Sequence, residues 1–122
     1  MPRVNKREVV VYLSGKYRGD VITNIARACL YAVALWEAGF TVICPHLNTA
    51  NFDQFCNLQH DDFIEGDIVL LRRCDAIFMM PGWKESIGAK IEYEAAKSQS
   101  LPIFYSVKDI QKYYDKCDKC DK

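Results

Sequence analysis

Apolar residues in this chain fall into two patterns: short unbroken runs of strand length, and longer stretches in which they recur every three or four positions. Val9-Val10-Val11-Tyr12-Leu13 is the first run and reads as a strand buried on both faces. Phe40-Thr41-Val42-Ile43-Cys44 reads as a second buried strand, and Asp75-Ala76-Ile77-Phe78-Met79-Met80 as a third. Leu101-Pro102-Ile103-Phe104-Tyr105 is a fourth, with its proline at the start, where a missing N–H is tolerated. Between the first two, Val21 to Ala38 carries Ile25, Ala28, Cys29, Ala32, Val33 and Trp36 at helical spacing. Asp20 or Thr23 is placed to cap that helix and Gly39 to end it. Asp61 to Arg73 repeats the pattern, with Phe63, Ile64, Ile68, Val69 and Leu71 toward the core, and Ser86 to Ser98 follows with Ile87, Ile91 and Ala95. Lys108 to Asp115 predicts a last helix before a polar tail.

Strands alternating with helices, joined by right-handed crossovers, make the strands parallel neighbours. The pattern therefore predicts an α/β fold: a three-layer sandwich, Rossmann/flavodoxin-like, around a parallel sheet of four to five strands. Residues 1–107 form the domain and 108–122 a C-terminal helix and polar tail.

In such sheets ligands bind beyond the carboxyl ends of the strands, where helix N-termini present free N–H groups. Several segments fall at that edge. Ser14-Gly15-Lys16-Tyr17-Arg18-Gly19 combines a permissive backbone with two cations, and reads either as an anion-binding loop or as a solvated turn. It matches neither the Walker nor the dinucleotide pattern. Pro45-His46-Leu47-Asn48-Thr49 follows at the carboxyl end of the second strand, where His46 is either a ligand contact or a structural hydrogen-bonder. Residues 51–60 read as a loop or short helix covering the pocket. Pro81-Gly82-Trp83-Lys84-Glu85-Ser86-Ile87-Gly88 then leads into a helix that carries Glu92 and Glu94. Residues two apart on a helix point in different directions, so only one of these glutamates enters the site. Asp67, on the preceding helix, reads by default as a solvated acid. Asp75 stands at the opposite edge, where it orders a turn.

Composition narrows the function classes. A chain of 122 residues that is 50% apolar is one domain. Sixteen basic residues balance sixteen acidic ones, so no global field draws it to a nucleic acid polymer or an anionic membrane. No apolar stretch approaches the roughly 18 residues of a membrane span, and a soluble cytoplasmic protein is expected. Cys29, Cys44 and Cys74 read as small core residues without metal-ligand spacing. Cys117 and Cys120 supply only half of a tetrahedral zinc site and read either as part of a frayed tail or as half of a zinc site shared across an oligomer interface.

Four motifs in order carry a specific resemblance: Tyr12-Leu13-Ser14-Gly15 with Arg18-Gly19; Pro45-His46; Asp67 eight residues before Asp75; and Ser86-x-Gly88-x3-Glu92. Over roughly residues 9 to 105 the chain resembles the nucleoside 2-deoxyribosyltransferase superfamily. That superfamily includes 2'-deoxynucleoside 5'-monophosphate N-glycosidases and a small phage-associated branch of unassigned function. The resemblance implies that Glu92 is a nucleophile attacking the anomeric carbon, that Asp67 places the sugar or passes a proton to the leaving base, and that Tyr12 orients Glu92. It implies that Gly15 lets the backbone approach the base. Ser14, Lys16, Arg18, Gly19, His46, Trp83, Ser86 and Gly88 then contact substrate, Trp83 either stacking on the base or plugging the pocket. Nucleoside-specific members place an acid where this chain has Ser86, so a 5'-monophosphate is the expected substrate, cleaved without cofactor or metal by a homodimer. Transfer to an acceptor base, and non-catalytic nucleotide binding, are the alternatives; removal of Glu92 separates catalysis from binding.

Overall fold

The four apolar runs pair as a single parallel sheet of β1 (Val10–Ser14), β2 (Thr41–Ile43), β3 (Ala76–Met79) and β4 (Ile103–Phe104), in the order β2-β1-β3-β4. The structure, a computed structural model, describes residues 5–120, with side chains as far as Asp115. Around the sheet lie α1 (Val21–Glu37), α2 (Pro45–Asn48), α3 (His60–Arg72), α4 (Ile87–Ser98) and α5 (Val107–Cys120). Register places Tyr12 beside Ile43 on one side and Ile77 on the other.

Alternation along the strands sorts the core into two halves. Val11, Leu13 and Phe78 pack with Ala28, Ala32 and Leu35 of α1 and with Ile110 and Tyr114 of α5. Tyr12, Ile77 and Met79 pack on the other face with Leu71 of α3 and with Ala89 and Ala96 of α4. This is the three-layer α/β sandwich. Because α1 leaves β1 on one face and α4 leaves β3 on the other, the strand order reverses between these neighbours, and a crevice opens beyond their carboxyl ends.

Local chemistry fixes the joints. Asp20 caps α1 by accepting from the Thr23 N–H at 3.2 Å, and Gly39 leaves the helix at φ +103°, where only glycine is unstrained. Asp75, at the edge away from the crevice, exchanges hydrogen bonds with Val10: its carboxylate accepts from the Val10 N–H and its own N–H donates to the Val10 carbonyl, both at 2.8 Å.

Residues 45–48, just past β2, form a short helix with Pro45 in its first turn, where a missing N–H costs nothing. Several expectations are corrected. On α4, Ile87 and Ile91 face outward, and the buried stripe is Ala89, Glu92 and Ala96, whose two alanines let the helix approach the sheet closely. On α1 the buried stripe is Asn24, Ala28, Ala32 and Leu35, leaving Ile22, Cys29, Leu30, Val33 and Trp36 exposed. Val69 of α3 is likewise exposed. β2 is an edge strand and only half-buried. The final helix continues to Cys120 rather than ending at Asp115; the side chains of Cys117 and Cys120 lie outside the described residues.

Candidate active site

Tyr12 and Ser14 are two residues apart on β1 and so point to the same face of the sheet, toward α4. There they meet Glu92. The Tyr12 hydroxyl donates to Glu92 Oε2 at 2.8 Å, and the Ser14 hydroxyl donates to Glu92 Oε1 at 2.5 Å. Glu92 is 6% exposed, so a carboxylate has been carried into the domain with a hydrogen bond on each oxygen. A charge taken out of water is tolerated only with such partners.

Burial pushes the Glu92 carboxyl up to about 7; the Ser14 and Tyr12 hydrogen bonds pull it down, and the negative charge of Asp67 adds to the rise. Asp67, on the inner side of α3, is pushed up to about 6 by burial. Between about pH 6 and 7 the pair therefore carries about one proton. Tyr12 stays a neutral donor, its phenol held above the usual range by burial and then by the charges of Glu92 and Asp67. In the free protein the proton of the pair rests mainly on Glu92, the carboxyl raised further, and Asp67 is the ionised member.

A cleft of about 680 Å³ opens over these groups at the carboxyl edge of β1. Glu92 and Asp67 lie in its wall, together with Gly15, Lys16, Arg18, Gly19, His46, Ser86 and Gly88. Tyr12 and Ser14 do not line it, because their hydroxyls lie behind Glu92; Ser14, expected on substrate, instead holds the carboxylate. Trp83 is not brought to the cleft either. It stacks on Tyr93 with ring centroids 4.5 Å apart and borders a separate depression of about 350 Å³ with Pro81 and Tyr105.

The glycine loop is pinned from behind. The buried side chain of Asn24 donates to the Tyr17 and Arg18 carbonyls at 3.1 and 3.0 Å, and His46 Nε2–H donates to the Lys16 carbonyl at 2.9 Å. Burial lowers the His46 pKa, and the Lys16 carbonyl opposes that. His46 is thus a neutral loop anchor that also borders the cleft. Gly15 sits at a close approach: a Cβ there would lie 2.5 Å from Cε, the movable end of Met80, and 3.0 Å from Met80 Cβ. At Gly88 a Cβ would lie 2.9 Å from Ile64 Cδ1, so glycine lets α4 lean on α3. Ser86 caps α4, its oxygen accepting from the Ala89 N–H at 3.1 Å. Its own proton remains available to a ligand.

The family described as "Domain of unknown function (DUF4406)" matches residues 9–105. The chain belongs to the DUF4406 family. No curated protein matches it in sequence. Among solved structures it is similar to a 2-deoxyribosyltransferase from the psychrotolerant bacterium Bacillus psychrosaccharolyticus, described as a biocatalyst for the synthesis of antiviral and antitumoral nucleosides. That likeness has 17% identity and a TM-score of 0.58, covering 78% of this chain and 69% of the other. It is a likeness of fold.

Sequence reasoning missed some members of this DUF4406 site. Asn24 was hidden on a helix read as apolar. His60 and Glu85, which also border the cleft, stand just outside the motifs. Phe63 and Ile64, read as core, form an apolar wall of the cleft. Among the described residues no group of three or more His, Cys, Asp or Glu side chains is arranged to hold a metal, and no helix is long and apolar enough to cross a membrane.

Proposed function

We propose that this protein cleaves the N-glycosidic bond of a nucleoside 5'-monophosphate, with Glu92 as nucleophile. The observation that carries this reading is the buried Glu92 carboxylate, held through both oxygens by Tyr12 and Ser14 in the wall of a cleft that also contains Asp67. A protein that only binds nucleotides gains nothing from a buried anion facing a phosphorylated ligand. A nucleophile needs its carboxylate fixed and partly desolvated.

As substrate binds, the proton that the pair shares passes from Glu92 to Asp67; the ionised Glu92 then attacks the anomeric carbon, forming a C–O bond as the C–N bond breaks. The electron pair of that bond goes to the leaving base, which takes a proton from the acid form of Asp67. Water then attacks the anomeric carbon of the glycosyl ester, the ester C–O bond breaks, and its electron pair returns to Glu92. The ionised Asp67 accepts the proton of that water. Two displacements give net retention. Replacement of the water by an acceptor base would give the transfer reaction named for the structural neighbour.

The phosphate is assigned to the Lys16 and Arg18 loop and the start of α4, where Ser86 can donate and the helix dipole favours an anion. A homodimer belongs to the same reading, with the exposed Ile22, Leu30 and Val33 of α1 as an apolar face for it to cover.

The deciding experiment incubates the protein with ribo- and deoxyribonucleoside 5'-monophosphates, and with the matching nucleosides, and follows free base by chromatography. Base release from monophosphates that is lost in Glu92→Ala is the expected result. Retained nucleotide binding with no release from any compound would replace this reading with a binding module.

A further inference from the structure

Ser14 is 1% exposed, and its hydroxyl proton goes to Glu92 Oε1 rather than to the cleft. Tyr12 holds the other oxygen from the preceding inward position of β1. The two donors grip the carboxylate at two points and fix the plane in which its remaining lone pairs lie. A single donor would fix a position but leave that plane free to turn.

We propose that Ser14 is a positioning residue for Glu92, fixing its carboxylate through Oε1 and keeping it in the ionised form that nucleophilic attack requires. This rests on Glu92 being the nucleophile, but its direct test does not. The groups around Glu92 show why a second donor matters. Asp67 from α3 opposes ionisation through its own charge. Cys44, at the end of β2, is within electrostatic reach, and burial pushes its thiol up to about 11, so it stays neutral and offers no compensation. Glu85, which also borders the cleft, is a further acid, and His46 is held neutral by burial. The cations Lys16 and Arg18 line the cleft, but no ion pair joins either to Glu92 among the described residues. With no direct cationic partner, the ionised carboxylate depends on hydroxyl donors, and a hydrogen bond to the charged form favours that form.

The test is a titration of Glu92 itself. Glutamate labelled with carbon-13 at the side-chain carboxyl is incorporated, the Glu92 resonance is assigned by its loss in Glu92→Gln, and its chemical shift is followed from pH 4 to 10. In Ser14→Ala the midpoint should move up by about one pH unit, and Ser14→Thr, which keeps the hydroxyl, should restore it. The acid limb of the rate profile should move with it while KM stays nearly constant. Should the alanine variant unfold, Ser14→Cys carries the test, its weaker donor giving a smaller shift in the same direction. A folded Ser14→Ala or Ser14→Cys protein whose Glu92 titrates as in the parent overturns the proposal. Should the parent release no base at all, the glycosidase reading fails while the titration still reports on Ser14.

Discussion

The Tyr12 hydroxyl and Glu92 Oε2 lie 2.8 Å apart although the two residues are 80 positions apart in the chain, and both are buried. The contact exists because Tyr12 points from β1 to the face of the sheet on which α4 packs. Removing the phenol oxygen in Tyr12→Phe leaves Oε2 without a donor at nearly unchanged side-chain volume. Stability should fall by about 1–3 kcal/mol, and kcat should fall roughly 10- to 100-fold with little change in KM. Urea denaturation beside steady-state kinetics checks both; a large rise in KM alone would place Tyr12 on the substrate instead.

Glu92→Gln keeps the shape of the side chain and lets the amide donate where the carboxylate accepted. The variant should fold and bind nucleotide, while base release should fall at least about a thousand-fold, as expected when a nucleophile is removed. Calorimetric binding with chromatographic turnover separates the two. Undiminished turnover would remove Glu92 from the chemistry.

Buried carboxyls also make stability depend on pH, and the sign follows from the direction of their pKa shifts. Glu92 rises from an ordinary 4.5 to about 7 in the folded chain, and Asp67 from 3.8 to about 6. The folded state thus holds protons more tightly than the unfolded one. The contribution is fully present below about pH 4 and is lost as pH rises through about 7. For Glu92 it reaches at most about 3 kcal/mol, at about 1.4 kcal/mol per pH unit. Denaturation midpoints measured from pH 4 to 8 should decline, and Glu92→Gln should flatten much of the decline. An unchanged slope in that variant would show that Glu92 titrates at its ordinary value in the folded chain.

The strands and helices were legible because their periods differ, and the four runs fixed the sheet's direction through the crossover rule. Which face of a helix turns inward was less legible. α1 is apolar almost all round, so its periodicity could not choose between the stripe through Ala28 and the one through Val33. On α4 the inward face is two alanines and a glutamate, and hydropathy favoured the isoleucines opposite. The role of Ser14 was available in principle, since it shares the β1 face with Tyr12, but a hydroxyl beside a glycine loop reads first as a ligand contact. The Trp83 stack on Tyr93 depends on how the turn of residues 83–85 folds back on α4, which residue spacing does not encode.

Gly15→Ala tests the close approach between the first loop and β3. Its Cβ would meet Met80 Cε at 2.5 Å and Met80 Cβ at 3.0 Å. Moving the flexible methionine end relieves only the first contact, so the variant should lose about 1–3 kcal/mol. Met80→Ala should recover part of that loss in the double variant, seen as a non-additive thermal denaturation result. Strict additivity would mean that the two residues do not touch.

In the proposed reading, Arg18 and Ser86 are the residues that would distinguish a nucleotide from a nucleoside. Arg18→Ala should raise KM for a 5'-monophosphate roughly 10- to 100-fold, the worth of a charge-assisted hydrogen bond, and leave KM for the matching nucleoside nearly unchanged. Ser86→Asp is the sharper probe, because aspartate is as good an N-cap as serine and can accept from the Ala89 N–H in the same way. The fold should therefore persist while a carboxylate replaces a donor at the phosphate position. Like charges there oppose binding, so the ratio of kcat/KM for monophosphate over nucleoside should fall by more than about tenfold in Ser86→Asp and recover partly in high salt, which screens the repulsion. Equal losses for both substrates would put the phosphate elsewhere in the cleft and leave Ser86 only its role as a helix cap.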